Sequence, residues 1–350
     1  MKIETQLPLG ILDPGLRAGA TRLDIAAIGE QARLAEALGY DGIVTEETKD
    51  DPFVVMALAA QATERVGLAT GVAIAFPRAP AVTALAAWTL QKLSRGRFTL
   101  GLGSQVKGHI ERRYGMPWSP PGPWMRDYVG ALRAIWECWQ NGTKLDYHSA
   151  HYDLSLMVPL FAPPPIEQPR IPVQLAAVNP FMCQIAGEVA DGIRAHPVCT
   201  PGYIADIMLP AARKGAAKAG RDFAGFEIAV MPLIATAPDP AGLAERVRDV
   251  RARIAFYAST PTYLIAFESQ GYGEVARNLQ AYSRAQRWDE MPAFISDEML
   301  DHYVVIGTHD EIAGKLRARF DAVATHLEFA IPVAGDADQA TLRDLLQTLR

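Results

Sequence analysis

The feature that most constrains this chain is its rhythm of short apolar strand candidates separated by helical stretches and tight turns. Residues 3–7 form a first strand candidate. Residues 24–38 then carry Ile25, Ile28, Ala32, Ala35 and Leu38 at helical spacing and stop at Gly39, where a helix C-cap favours glycine. Residues 41–45 give a second strand, followed by the polar run Glu46-Glu47-Thr48-Lys49-Asp50-Asp51 and a helix opened by Pro52. A third strand falls within 66–72, a helix opened by Pro80 runs into Ser94, and a fourth strand follows at 98–103. Four strands with three helices between them imply parallel strands joined by crossover helices.

The rhythm continues after a polar loop holding Lys107, His109, Arg112, Arg113 and Tyr114 and an amphipathic helix over 124–140. Residues 145–156 alternate like a hairpin, and a proline-rich connector spans 159–172. Further strands are expected at 173–177, 192–195, 226–235, 303–307 and 327–331, almost all with a helical partner. Eight or nine such units in 350 residues favour a (β/α)8 TIM barrel over an open doubly wound sheet. The expectation is a single domain over residues 1–350 with insertions at about 143–170 and 258–299. The second insertion, at roughly 40 residues, is long enough to call for a functional or oligomeric reason. No GxGxxG follows the first strand and no Walker A motif is present, which weakens the nucleotide-fold alternatives. Active groups of a barrel sit on the loops after the strands' C-terminal ends. This places the loop 46–51, the Gly71 turn, residues 105–113 and Val178-Asn179 around one mouth.

The fourth strand has an uneven pair of faces: Phe98, Leu100 and Leu102 on one side, Thr99, Gly101 and Gly103 on the other. A face this bare reflects close approach of another backbone or a ligand, or a tight barrel interior without one. The net charge of −5 argues against a nucleic-acid binder. Cys138, Cys183 and Cys199 lie far apart with no metal-ligand spacing, and the scattered Asp and Glu make no metal constellation. An odd, unclustered cysteine count suits a reducing cytoplasm. Lys2, Glu4 and Asp13 interrupt any signal-peptide core, and no apolar run approaches the roughly 18 residues that span a bilayer. A cytoplasmic protein without membrane or nucleic-acid partners is expected.

Several segments together resemble the bacterial luciferase-like family of flavin and deazaflavin oxidoreductases, and within it the branch using coenzyme F420. They are Gly39-Tyr40-Asp41-Gly42-Ile43-Val44-Thr45-Glu46, Thr63-Glu64-Arg65-Val66-Gly67-Leu68, Leu93-Ser94-Arg95-Gly96-Arg97-Phe98-Thr99-Leu100-Gly101-Leu102-Gly103, Ile171-Pro172-Val173 and Ala186-Gly187-Glu188-Val189-Ala190-Asp191-Gly192. The likeness is strong over about residues 20–195 and looser beyond. It implies a barrel with an insertion, a homodimer, and a cofactor, F420 or alternatively FMN, lying across the strand ends.

The resemblance also implies site residues. A bulge with a cis non-proline peptide would fall at Gly71-Val72, backing the central ring; an ordinary strand-end glycine is the alternative. Backbone at Ser104, Gln105 and Val106 would read the ring's pyrimidine edge. Ala177, Val178 and Asn179, before the helix at Pro180, would hold the phosphate, since a helix N-terminus offers N–H groups and partial positive charge. Relatives often have two glycines where this chain has Val178-Asn179. The histidine that relatives carry after the second strand is replaced by Glu46-Glu47-Thr48, and the glutamate after the fourth by Gln105-Val106. The nearest proton carriers are Glu46, Glu47 and His109; a carboxylate in an apolar mouth has a raised pKa suited to acid–base work. Both carboxylates are alternatively solvated or paired with Lys49, Arg112 or Arg113. Arg112 and Arg113 are candidates for an anionic substrate or the cofactor's acidic tail, or are neighbours on an exposed helical turn. Trp118, Trp124, Trp136 and Trp139 are expected in the core and dimer packing, and His148 and His151 in structural or surface roles. The functions implied are an F420-dependent hydride transfer involving a small organic substrate, an FMN-dependent monooxygenase, or a non-catalytic flavin-binding protein.

Overall fold

The computed structural model describes residues 1–10 and 23–350. Residues 11–22, Asp13 among them, lie outside the described residues. Eight strands form the barrel: β1 (Lys2–Gln6), β2 (Gly42–Thr45), β3 (Gly67–Thr70), β4 (Phe98–Gly103), β5 (Val173–Ala177), β6 (Gly192–Ala195), β7 (Glu227–Val230) and β8 (His326–Glu328). All neighbouring pairs are parallel, and the pairings of β8 with β1 and of β3 with β4 close the ring. The helices that follow the strands are α1 (Ile28–Leu38), α2 (Pro52–Ala62), α3 (Pro80–Leu93), α4 (Pro121–Asn141), α5 (Pro180–Val189), α6 (Leu209–Lys218), α7 (His309–Phe320) and α8 (Asp336–Leu349). Their ends follow the local chemistry: Asp51 caps α2 ahead of Pro52, and Gly39 closes α1 in the left-handed region at φ 104°.

Two strand expectations change. Residues 226–235 break at Met231-Pro232, because proline cannot donate to a ladder. β7 ends at Val230, and Leu233–Ala237 leaves the barrel to pair in parallel with Val304–Thr308. The strand expected at 303–307 therefore lies outside the barrel, and the eighth barrel strand is β8. The third expected strand, 66–72, stops at Thr70; a cis Gly71–Val72 peptide follows, and Ala73–Ile74 then pairs with Leu102 and Gly103. The 143–170 segment carries the expected hairpin, Tyr147–His148 against Asp153–Leu154. The 258–299 segment folds as short helices, including Leu264–Glu268 and Gly273–Arg284.

Alternate strand positions point to opposite sides. Ile3, Ile43, Leu68, Phe98, Leu100, Leu102, Val173, Leu175, Ile193, Ile228 and Leu327 are at most 2% exposed, and their face packs against the helices. Each such side chain contributes about 1.5–3 kcal/mol on burial. The opposite face lines the barrel with an unusual set for this architecture: Glu4, Gln6, Gln174, Arg194, Glu227, His326 and Glu328.

Within the segments that carry the family likeness, Arg97, Glu188 and Asp191 build the barrel's lower end, where the strands begin. Arg97 donates to the carbonyls of Ser94, Val66, Ala60 and Thr63, tying the end of α2 to the start of β4. Asp191 accepts from the Val173 N–H at 2.9 Å and pairs with Arg133 and Arg221, and Glu188 pairs with Arg126 and Lys218. Gly187 and Gly215 let α5 and α6 touch backbone to backbone; a Cβ at either would lie 1.9 Å from a carbonyl oxygen of the other helix.

Candidate active site at the barrel mouth

The bare face of β4 is filled by the protein itself. A Cβ on Gly101 would lie 1.9 Å from the Thr70 carbonyl oxygen, and one on Gly103 would lie 2.6 Å from Val72 Cγ2. Thr70 Oγ1 donates to the Gly101 carbonyl at 2.6 Å and accepts from its N–H at 2.9 Å. The Gly71 N–H donates to the Thr45 carbonyl at 2.7 Å, and a Cβ on Gly71 would lie 2.2 Å from Val44 Cγ1. The bulge at Gly71-Val72 is thus held against both β2 and β4, with the cis peptide where the family resemblance places it.

Below the bulge lies a polar cluster. Arg194 pairs with both oxygens of Glu4, at 3.0 and 3.2 Å, and its Nη1 is 3.4 Å from Glu328 Oε1. Gln6 Nε2 donates to Glu328 Oε2 at 2.9 Å and to Glu46 Oε1 at 3.3 Å, and lies 3.2 Å from Met231 Sδ. Burial opposes ionisation of Glu4, but the Arg194 guanidinium outweighs it and holds the carboxyl below its usual range. Glu328 goes the other way: burial pushes it up to about 8, opposed by Arg194 and reinforced by the charges of Glu4 and Glu46.

His196 stands two residues beyond Arg194, on the same side of β6 and at the mouth. Tyr263, from the 258–299 segment, lies over its ring with centroids 4.0 Å apart and planes at 34°, and Tyr257 meets its edge at 4.7 Å. Burial pushes the imidazole down to about 3, so it is neutral at physiological pH and resists protonation. The Tyr263 hydroxyl is pushed up to about 12 by burial, with Cys199 and Glu46 adding.

The other candidate residues are more dispersed. Glu47 is a clamp: its Oε2 accepts from the Ile74 N–H at 2.7 Å and from Arg78 at 2.6 Å, and Arg78 also reaches Asp51. Its cationic partner is Arg78, not Lys49, Arg112 or Arg113. His109, Arg112 and Arg113 lie exposed on or beside the short helix Lys107–Arg112, with the Arg113 guanidinium 5.0 Å from the centre of the Tyr114 ring. Ser104, Gln105 and Val106 follow β4, partly buried; Gln105 has φ 55°, and its side chain accepts from the Val106 N–H at 2.9 Å. Ala177 is buried at the end of β5, and the Val178 carbonyl accepts from the Tyr203 hydroxyl at 2.8 Å. Asn179 caps α5 itself, accepting from the Met182 N–H at 2.9 Å. With Pro180 lacking an N–H, the Phe181 N–H is the first-turn donor that this cap leaves for an anion.

Sequence reasoning missed Gln6, Arg194, His196, Tyr263 and Glu328 as site residues. A signal existed for four of them: Lys2-Ile3-Glu4-Thr5-Gln6, Gly192-Ile193-Arg194-Ala195-His196 and His326-Leu327-Glu328 place polar residues at every second strand position. Nothing local marks Tyr263. Trp124, Trp136 and Trp139 are buried as expected, Trp124 stacking on Phe76 at 3.8 Å. His151 proves structural: its Nδ1 lies 2.7 Å from Asp127 and its Nε2 3.0 Å from Ser119 Oγ, fastening the hairpin to the start of α4. That Ser–His–Asp order resembles an acyl-transfer triad. The adjoining helix start is a poor oxyanion site, however, because Pro121 and Pro123 carry no N–H and Trp124 N–H bonds the Pro120 carbonyl.

Comparison with known proteins agrees with this geometry. Residues 8–326 match the family described as luciferase-like monooxygenase, and the chain belongs to that family. The uncharacterized protein Rv1360 of Mycobacterium tuberculosis is 40% identical over 332 residues, covering 95% of this chain and 97% of that one. Another M. tuberculosis protein, Rv3520c, provisionally designated a coenzyme F420-dependent oxidoreductase, is 28% identical over 334 residues, covering 90% and 92%. Among solved structures, the coenzyme F420-dependent tetrahydromethanopterin reductase from Methanopyrus kandleri superposes with a TM-score of 0.73 at 19% identity, covering 100% of this chain and 97% of that one. This last likeness is one of fold.

Proposed function

We propose that the protein is an F420-dependent oxidoreductase that transfers a hydride between the deazaflavin and a small organic substrate at the barrel mouth. The observation that carries the reading is the Gly71-Val72 bulge, packed against Gly103 and adjoining the Ser104–Val106 backbone, on a chain related to Rv3520c. When bound, the deazaflavin supplies the hydride carrier. Ser104, Gln105 and Val106 would hold the ring edge, although Gln105 already occupies the Val106 N–H. Ala177, Val178, Asn179 and the Phe181 N–H would hold the phosphate, a smaller donor set than two glycines would leave. The exposed Arg112 and Arg113, with Lys107, suit an acidic cofactor tail in solvent better than an enclosed substrate.

Of the three proton carriers expected, Glu46 is the best placed, because it shares the Gln6 amide with Glu328 and lies within electrostatic reach of Tyr263. Glu47 holds Arg78 and the Ile74 N–H, and His109 is exposed. Neutral His196, under Tyr263, is too weakly basic to share that role and adds a packed, uncharged wall. Titration with oxidised and reduced F420 tests the reading. Oxygen uptake with reduced FMN would instead favour a monooxygenase, and binding without turnover a non-catalytic role.

A homodimer is part of the proposal. Val82, Leu85 and Leu93 are exposed on one side of α3, and Val54 is exposed on α2; a monomeric sedimentation profile would remove the proposal. A cytoplasmic location is likewise proposed, and no helix among the described residues is long and apolar enough to cross a membrane.

A further inference from the structure

The His196 ring is fixed by its own turn as well as by the two tyrosines. The His196 carbonyl accepts from the Cys199 N–H at 2.8 Å, closing a turn with Pro197 at its second position, where proline's restricted φ is favoured. The turn brings the Val198 N–H back to the ring, where it donates to Nδ1 at 3.4 Å. Tyr263 covers one ring face and Tyr257 meets the edge. A ring nitrogen that accepts from an N–H carries no proton itself. A neutral imidazole has one donor and one acceptor, so the proton of His196 sits on Nε2. Protonating Nδ1 would set one N–H against another, and burial also disfavours the cation. Nε2 bonds no described residue, and the partly buried ring stands on the inward side of β6 at the mouth. A donor partly removed from water and left unpaired is costly; a ligand oxygen would pair it.

We propose that His196 orients the substrate: its Nε2–H hydrogen-bonds an uncharged oxygen, carbonyl or hydroxyl, of the molecule that reacts at the mouth. This deepens the functional reading above and rests on the mouth being the reacting site. The donor is neutral, so its partner must bring a lone pair, which a protonated amine lacks. A carboxylate has lone pairs, but burial is the only cause acting on the ring's ionisation, so no cation stands beside it. An anion taken out of water without a counter-charge costs far more than a neutral oxygen. His196 keeps its proton throughout, which separates this role from that of an acid or a base. Its contribution is orientation, with the turn and Tyr263 holding the donor in place before the substrate arrives.

Nitrogen-15 NMR of the ligand-free protein, labelled in its seven histidines, tests the donor without any cofactor, and His196→Gln assigns the signal. The expected result at pH 7 is one neutral tautomer with its proton on Nε2. A proton on Nδ1, a mixture of tautomers, or an imidazolium would overturn the proposal. The oxygen is tested with cyclohexanone carrying carbon-13 at its carbonyl, followed by infrared difference spectroscopy with and without F420. The bound ketone is expected to show a lowered C=O stretch, and the Nε2 resonance to move with the same saturation curve. Cyclohexanol should displace the ketone, and cyclohexanecarboxylate should do so more weakly by about tenfold. His196→Phe is expected to abolish the lowered stretch, and His196→Gln, whose amide N–H also donates, to restore part of it. No lowered stretch in wild type, its persistence in His196→Phe, or preference for the carboxylate would overturn the proposal. Failure to bind F420 leaves the tautomer and the ketone measurements unchanged and counts only against the cofactor reading.

Discussion

The Thr70 carbonyl oxygen occupies the place where a side chain at Gly101 would begin, 1.9 Å from an ideal Cβ. The contact joins β3 to β4 under the bulge and explains the bare strand face without a ligand. Gly101→Ala forces backbone against Cβ, and overpacking of this kind costs about 1–3 kcal/mol, with rigid backbone contacts at the upper end. Denaturant unfolding should show the loss as a lower midpoint; an unchanged midpoint would mean that the strands separate easily.

Arg194 and Glu4 are a buried pair, each less than a tenth exposed. Removing one partner leaves an uncompensated charge, at about 3–5 kcal/mol. Arg194→Met should therefore be strongly destabilised in a thermal or denaturant melt. The double change Glu4→Gln with Arg194→Met should recover part of that loss, because it leaves no orphaned charge. Equal stability of the single and double variants would contradict the pairing.

Much of the fold was legible because β strands covered by helices present apolar residues at every second position, and Ile43, Leu100 and Val173 do so plainly. The inward face was harder to read. Glu4, Arg194 and Glu328 alternate with apolar residues just as solvent-facing residues would, and only the closed barrel turns that face inward. The strand at 303–307 has β-branched apolar residues that favour a strand but do not name its partner; Pro232 was the sign that the chain leaves the barrel. At the site, the segments bearing the family likeness were the easiest to find, yet Arg97, Glu188 and Asp191 build the lower end. Tyr263 reaches His196 across 67 residues of chain, a contact with no local trace.

His196 gives a pH dependence of definite sign. Its folded pKa is depressed to about 3, while the unfolded imidazole takes a proton near its ordinary value of 6.5. The unfolded state therefore binds more protons between these values, and stability falls as pH falls through that window. The slope is at most about 1.4 kcal/mol per pH unit, less for a ring partly exposed at the mouth. Histidine ring resonances should show His196 untitrated at pH 5, and His196→Gln should flatten the acid limb. A midpoint near 6.5 would contradict the burial under Tyr263.

Arg112 and Arg113 are exposed, and the role proposed for them is charge attraction to the cofactor's acidic tail. Replacing both by alanine should weaken F420 binding by about 3–10-fold at low salt and much less at high salt, since exposed charges are screened. Binding isotherms at two salt concentrations separate this from a packing role. Affinity unaffected at low salt would remove both arginines from the site.

The mouth between the Gly71-Val72 bulge and His196 is proposed to take a deazaflavin. Equilibrium titration of F420 and, separately, FMN into the purified protein, followed by ligand fluorescence, tests it most directly. F420 is expected to bind saturably, more tightly than FMN, and to be weakened by bulk introduced at Ser104. No fluorescence change with either oxidised or reduced F420, or tighter binding of FMN, would contradict it.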